Sequence, residues 1–265
     1  MIKAFGLLLS TLSLMASAET NNKGNDTNTP DISFPISQQR LFDQDLTKYS
    51  DTNEVAWLGD KDSRFLTLWR EQTTGNVVGT SWLFGNTYTS ANSPGIIQTL
   101  RNQLSHKGLH SYSISPLSQA LNSERSEERL LGQLQVLQEK IVNQKGKRLL
   151  ILQGANSQAI INILIKNPDI YVDAIVLIST NSPTTALSTQ LSQQLLELKT
   201  PILDLYTQTD ELAVIEQAKI RLTAAKRVSR NNYRQVEVIG LPVHMETQIT
   251  TSQIIYGWLV TQGWY

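Results

Sequence analysis

Two hydrophobic rhythms alternate along most of this chain. Short runs rich in β-branched, aromatic and leucine residues lie at Glu54–Gly59, Phe65–Arg70, Val77–Phe84, His110–Ser115, Arg148–Leu152, Asp173–Ile178, Pro201–Tyr206 and Tyr233–Ile239. Each reads as a strand. Between the later runs, apolar residues recur at helical spacing. Pro94–Lys107 aligns Ile97, Leu100 and Leu104, and Glu124–Asn143 aligns Leu130, Leu134, Leu137 and Ile141. Ser157–Lys166, Glu211–Arg227 and Thr247–Gln262 continue the series. These are helices with one face turned to a core. Early strands joined without helices, followed by strand–helix alternation, predict an α/β fold. Its central sheet should be mostly parallel, with antiparallel N-terminal strands and helices on both faces. The runs RLLIL (Arg148–Leu152) and DAIVLI (Asp173–Ile178) are apolar almost throughout, as strands covered on both sides are. Ligands in such sheets sit at the carboxyl ends of the strands, so chemistry is sought in the residues that follow each one.

The N-terminal residues follow neither rhythm. Met1–Ala18 carries Lys3, an apolar stretch from Phe5 to Met15, and Ala16-Ser17-Ala18. That is the pattern of a secretory signal peptide, and its apolar run is too short to span a bilayer, which takes about 20 residues. Cleavage near Ala18 would leave a periplasmic or secreted protein. Residues 19–51 are expected to form a polar, largely disordered leader. Within it, Glu19–Asp31 is almost wholly polar, and Ile32–Asp51 is read as draping over the domain surface. Residues 52–265 are then the folded domain. No later stretch is long and apolar enough to cross a membrane.

Composition removes several function classes. Among 265 residues, 23 basic and 23 acidic side chains cancel, which argues against sequence-independent nucleic-acid binding. There are no cysteines, so a disulfide scaffold, a thiolate metal site and a Cys nucleophile are excluded. The histidines are His106, His110 and His244, and a site needing all three imidazoles is not expected. No dinucleotide fingerprint, P-loop, HExxH or calcium loop is present, so no cofactor or metal is expected.

Candidate chemistry lies after three late strands. Arg148–Leu152 is followed by Gln153-Gly154-Ala155-Asn156-Ser157-Gln158-Ala159 and then a helix. A strand, a tight turn of small residues and a helix make the setting of a nucleophile elbow, usually G-x-S-x-G. Two frames fit. From Gly154, the nucleophile position holds Asn156, whose amide no base can convert into a nucleophile. From Ala155, it holds Ser157 between two small residues. Ser157 also reads, more simply, as a helix cap or first-turn residue. Asp210 follows Pro201–Tyr206, either as a triad acid or as a plain helix cap. Asp204, inside that strand, is a second acid that would need a buried partner such as Arg or Tyr. His244 follows Tyr233–Ile239 in the last strand-to-helix loop, where a triad base would stand, and the order Ser, Asp, His matches the hydrolase order. His106 and His110 lie at a strand start, away from any such crevice, and read as solvent-exposed. After Val77–Phe84, Gly85 permits the backbone geometry of an oxyanion loop and Asn86 N–H is the candidate donor.

Several segments resemble a family of exported bacterial proteins of unknown function assigned to the α/β-hydrolase superfamily. The resemblance runs from Phe65 to Trp258. It rests on Leu68-Trp69, on Trp82-Leu83-Phe84-Gly85 followed by Ile96–Gly108, and on Pro201-Ile202-Leu203-Asp204-Leu205-Tyr206, which is similar to the family's PVLDLY strand. Tyr233-Arg234-Gln235 and Gly257-Trp258-Leu259 resemble its YRQ and GWL segments. The resemblance implies an α/β-hydrolase-like fold and no established reaction. The family's elbow commonly carries glycine where a hydrolase has serine, which favours the frame with Asn156 in the nucleophile slot.

Three functions compete. In the first, an exported hydrolase-fold protein lacks a standard nucleophile and acts as a binding or interaction module for a small molecule or an envelope protein. In the second, a serine esterase or acyl hydrolase uses Ser157, Asp210 and His244, with Asn86 N–H at the oxyanion. In the third, an envelope scaffold docks a partner through its leader. Ser179–Lys199, with Leu187, Leu191, Leu195 and Leu198 near helical spacing, predicts a short amphipathic helix. It is either a lid over the strand ends or, more plainly, a surface connection.

Overall fold

A computed structural model describes residues 38–60, 64–86, 89–115, 123–141 and 146–265. The signal-peptide reading and the leader as far as residue 37 fall outside the described residues. The rest of the leader reading needs correcting. Residues Gln38–Tyr49 form a helix, α1, whose Leu46 is buried in a small cluster with Leu66, Leu68 and Ala91. Its sequence, QQRLFDQDLTKY, is polar enough to hide so narrow an apolar contact.

Eight strands follow: β1 (Val55–Leu58), β2 (Phe65–Arg70), β3 (Gly79–Phe84), β4 (Leu109–Ile114), β5 (Lys147–Gln153), β6 (Ala174–Ile178), β7 (Ile202–Thr207) and β8 (Tyr233–Val238). They form one sheet in the order β1-β2-β4-β3-β5-β6-β7-β8. The pairs β1–β2 and β2–β4 are antiparallel and all others are parallel. The helices between them are α2 (Ile96–Ser105), α3 (Ser123–Ile141), α4 (Asn156–Lys166), α5 (Thr185–Glu197), α6 (Leu212–Arg227) and α7 (Met245–Thr261).

The alternation of side chains along a strand divides the core into two layers. Leu150 and Leu152 of β5, with Ile175 and Leu177 of β6, pack under α3, α4 and α5. Leu149 and Ile151, with Ala174 and Val176, face the opposite way and pack under α2 and α7. Apolar residues at every position from Leu149 to Leu152 of β5 and throughout β6 are therefore what this topology requires. Trp258 and Trp264 belong to the second layer. Helix α5 does not form a lid. Thr184 caps it by accepting the Leu187 N–H at 3.2 Å, and Leu191 and Leu195 are buried in the first layer against α4. It is the crossover between β6 and β7.

Candidate functional site at the carboxyl ends of the strands

The turn after β5 sets the geometry of the elbow. Gly154 follows the last residue of β5 directly and has φ of 68°, in the left-handed region. The strained position of an elbow is the one that carries the nucleophile, and here it has no side chain. Neither sequence frame places its polar residue there. Asn156 opens α4, and its amide donates to the Gly85 carbonyl at 2.8 Å. Ser157 is fully buried; its hydroxyl donates to the Gly154 carbonyl at 2.8 Å and lies 2.9 Å from the Thr180 hydroxyl, which is left as the donor in that pair. This is a first-turn serine satisfied inside the fold.

The space above Gly154 is filled from the neighbouring strand. A Cβ on Gly154 would lie 2.6 Å from Asn86 Oδ1. The Asn86 side chain thus covers the point from which a nucleophile would project, and Gly154 allows that approach. The loop read as an oxyanion hole is tied to the elbow at two places: Asn86 over Gly154 and Asn156 on the Gly85 carbonyl. Thr87 and Tyr88 of that loop lie outside the described residues.

The remaining triad candidates are not joined. Asp210 Oδ2 accepts the Ser179 hydroxyl at 2.7 Å and the Thr207 N–H at 2.8 Å. Its carboxylate therefore fastens the ends of β6 and β7. Ser179, with φ of 46°, is itself a left-handed non-glycine residue, held there by that bond and by its own N–H to the Leu205 carbonyl. His244 is exposed at the N-cap of α7, and its ring makes no hydrogen bond among the described residues. His106 is exposed, whereas His110 is half-buried. His110 stacks on Trp69 at 6.0 Å between ring centroids and accepts the Gln72 N–H. Burial lowers its pKa below the ordinary 6.5, against an opposing pull from Glu71.

Beside the closed elbow lies a cavity of about 480 Å³. Gln153 of β5, Ser179 after β6 and Thr207 of β7 form one wall, and the first turns of α2 and α7 form the others. Sequence reasoning missed Gln153 and Ser179. The signal for both was position: each is the polar residue at which an apolar strand stops.

Asp204 presents the opposite case. It is fully buried in β7 and receives Arg221 Nε at 2.7 Å, Arg221 Nη2 at 3.1 Å, the Tyr233 hydroxyl at 2.5 Å and Gln235 Nε2 at 2.9 Å. Both kinds of partner foreseen from its sequence are present. Burial pulls the Arg221 pKa down, but the Asp204 charge, its hydrogen bonds and Tyr233 together more than offset this and hold it above its usual value. Burial and the Asp204 charge both raise Tyr233. The acid is a fastening of β7, β8 and α6, with Arg221 Nη1 reaching on to the Thr180 carbonyl at 3.2 Å.

A sheet in this strand order, with a left-handed turn after β5 and an acid and a histidine after β7 and β8, defines an α/β-hydrolase fold. Solved structures share it. Est1E from Butyrivibrio proteoclasticus matches with a TM-score of 0.62 at 9% identity, over 79% of this chain and 98% of its own. A dienelactone hydrolase from Anabaena variabilis matches with a TM-score of 0.60 at 17% identity, over 78% of this chain and 96% of its own. An alpha-beta serine hydrolase homologue from Coxiella burnetii gives 0.58 at 12% identity, over 78% and 97%. At such identities the likeness is one of fold. Within that class, the chain belongs to the family described as "Protein of unknown function (DUF3530)", whose profile matches residues 2–133 and 118–261. No curated protein matches it in sequence.

Proposed function

We propose that this protein is an exported, non-catalytic member of the α/β-hydrolase fold that acts as a binding or interaction module. The observation that carries the reading is Gly154: the strained elbow position has no side chain, and Asn86 lies across it. An acyl hydrolase needs a nucleophile, a base in hydrogen-bond reach and an orienting acid. Here Ser157 is buried, Asp210 is engaged by Ser179 and Thr207, and His244 stands apart. Export is supported by the N-terminal signal pattern of the sequence. Among the described residues, no helix is long and apolar enough to cross a membrane.

The test is labelling of the purified protein with a fluorophosphonate probe, alongside Ser157→Ala and His244→Ala. The expected result is no labelling of a protein shown to be folded by circular dichroism. Labelling that disappears in both variants would establish an activated serine and overturn the proposal in favour of an esterase.

A further inference from the structure

The cavity beside the elbow has walls of an unusual kind. None of its lining residues is charged, although 17% of the chain is Asp, Glu, Lys or Arg. Its apolar lining includes Ile96, Ile178, Val243 and Met245. Its volume, about 480 Å³, lies within the roughly 300–1,000 Å³ of ordinary small-molecule sites.

The mouth is apolar as well. Val243 and Met245 line the cavity and are 79% and 60% exposed. Ile239 and Leu241, in the same loop between β8 and α7, are 77% and 43% exposed. Four large apolar side chains in seven residues are thus held in water in this loop, and two of them, Val243 and Met245, line the cavity. Scattered exposed apolar residues need no explanation, but exposed apolar side chains that line a cavity, as Val243 and Met245 do, mark a binding site.

Most polar groups of the wall are already committed. Gln248 accepts the Thr99 hydroxyl and donates to the Pro242 carbonyl, and the Ser179 hydroxyl proton goes to Asp210. Gln153 is different. It lines the cavity, and its side-chain amide makes no hydrogen bond among the described residues. It offers both a donor and an acceptor.

A charged ligand would lose its hydration here without gaining a counter-ion. An anion would also approach Asp210, which stands one hydroxyl behind the wall through Ser179. We infer that this cavity binds an uncharged amphiphile, its apolar body seated against Ile96, Ile178, Val243 and Met245 and one neutral hydrogen-bonding head on the Gln153 amide. The inference rests on the non-catalytic reading of the site and names the ligand class for it.

Two fluorescent probes with one aromatic skeleton test it: uncharged N-phenyl-1-naphthylamine and its sulfonated analogue 8-anilino-1-naphthalenesulfonate. The neutral probe should bind saturably at one site, and the sulfonate about tenfold more weakly or worse. Monodecanoylglycerol should displace the neutral probe, and decanoate should not. Met245→Asp, a change at an exposed position, should weaken probe binding about tenfold. Ile220→Asp, in the groove between α5 and α6, should leave it unchanged. Gln153→Leu should keep the probe but weaken displacement by monodecanoylglycerol about tenfold. Equal binding of the sulfonate overturns the neutral-ligand claim. Absence of saturable binding, or binding indifferent to Met245→Asp, overturns the site itself. These outcomes are separate from fluorophosphonate labelling, which would overturn the non-catalytic reading instead.

Discussion

Two polar regions of this molecule share strand β7 and are built on opposite principles. In the Asp204 cluster, a buried carboxylate and a buried guanidinium are paired, and a phenol and an amide complete the carboxylate's hydrogen bonding. In the crevice at the strand ends, the side chains that could do chemistry are separated, each tied to nearby backbone or hydroxyl groups or left in solvent. The comparison shows that an acid in a β-strand and an acid in the following loop are distinguished by what surrounds them. Asp204 sits in the dry interior, where an unpaired charge is intolerable. Asp210 sits at the rim and serves as a local clasp. The fully buried charge pair is thus inside the fold, and the crevice wall has no charged residue.

The largest test of that contrast is Arg221→Met. It leaves Asp204 buried without its counter-charge and should cost about 3–5 kcal/mol, read from urea denaturation midpoints. Adding Asp204→Asn in the same chain should recover part of the loss, because the stranded charge is removed. Equal destabilisation by the single and double variants would mean that packing of the arginine stem matters more than its charge.

Gly154→Ser comes next. It places a side chain at a left-handed φ and against Asn86, and should cost about 1–3 kcal/mol. The variant should remain unlabelled by fluorophosphonate, since supplying a hydroxyl at the elbow does not supply a base. Labelling would show that His244 can reach the turn and that only the nucleophile was missing.

Ser157→Ala should cost about 1 kcal/mol, the scale of one lost hydrogen bond plus the unsatisfied partners it leaves. His244→Ala, at an exposed position with no hydrogen-bonded side chain, should stay within about 0.5 kcal/mol of wild type. A loss at His244 as large as that at Ser157 would contradict its isolation.

The smallest effect is a pH dependence from His110. Its folded pKa is depressed by burial, so the unfolded chain takes up a proton first as pH falls. Its contribution is complete above 6.5, the ordinary value, and declines as pH drops from there towards the lower folded value. His110→Phe keeps a ring against Trp69 and should flatten that part of the stability–pH profile. An unchanged slope would assign the dependence to other groups.

The sequence was most legible where a rule applies residue by residue. All eight strands appear within two residues of their expected limits, most plainly β5 and β6, because a strand covered on both faces must be apolar along its buried run and must stop at a polar residue. The helices after β3 follow from their spacing for the same reason. Helix α1 was not legible, since it commits Leu46 to a small cluster and remains polar elsewhere. His110 was expected in solvent because it begins a strand. Instead it stacks on Trp69, whose strand is its neighbour only in the assembled sheet.

The sequence by itself determined the class of fold, the order of the chemical loops and the need of Asp204 for a partner. It could do so because periodicity and burial of charge are local demands on residue type. Only the tertiary structure shows the geometry of the elbow. Gly154, Asn156 and Ser157 lie within four residues, and any of them fits a pattern of small residues after a strand. Of the three, Gly154 alone has a left-handed backbone, and Asn86, in the loop after β3, lies over it. So too with the cavity: its walls come from five separate elements, and no stretch of sequence records that their uncharged residues converge.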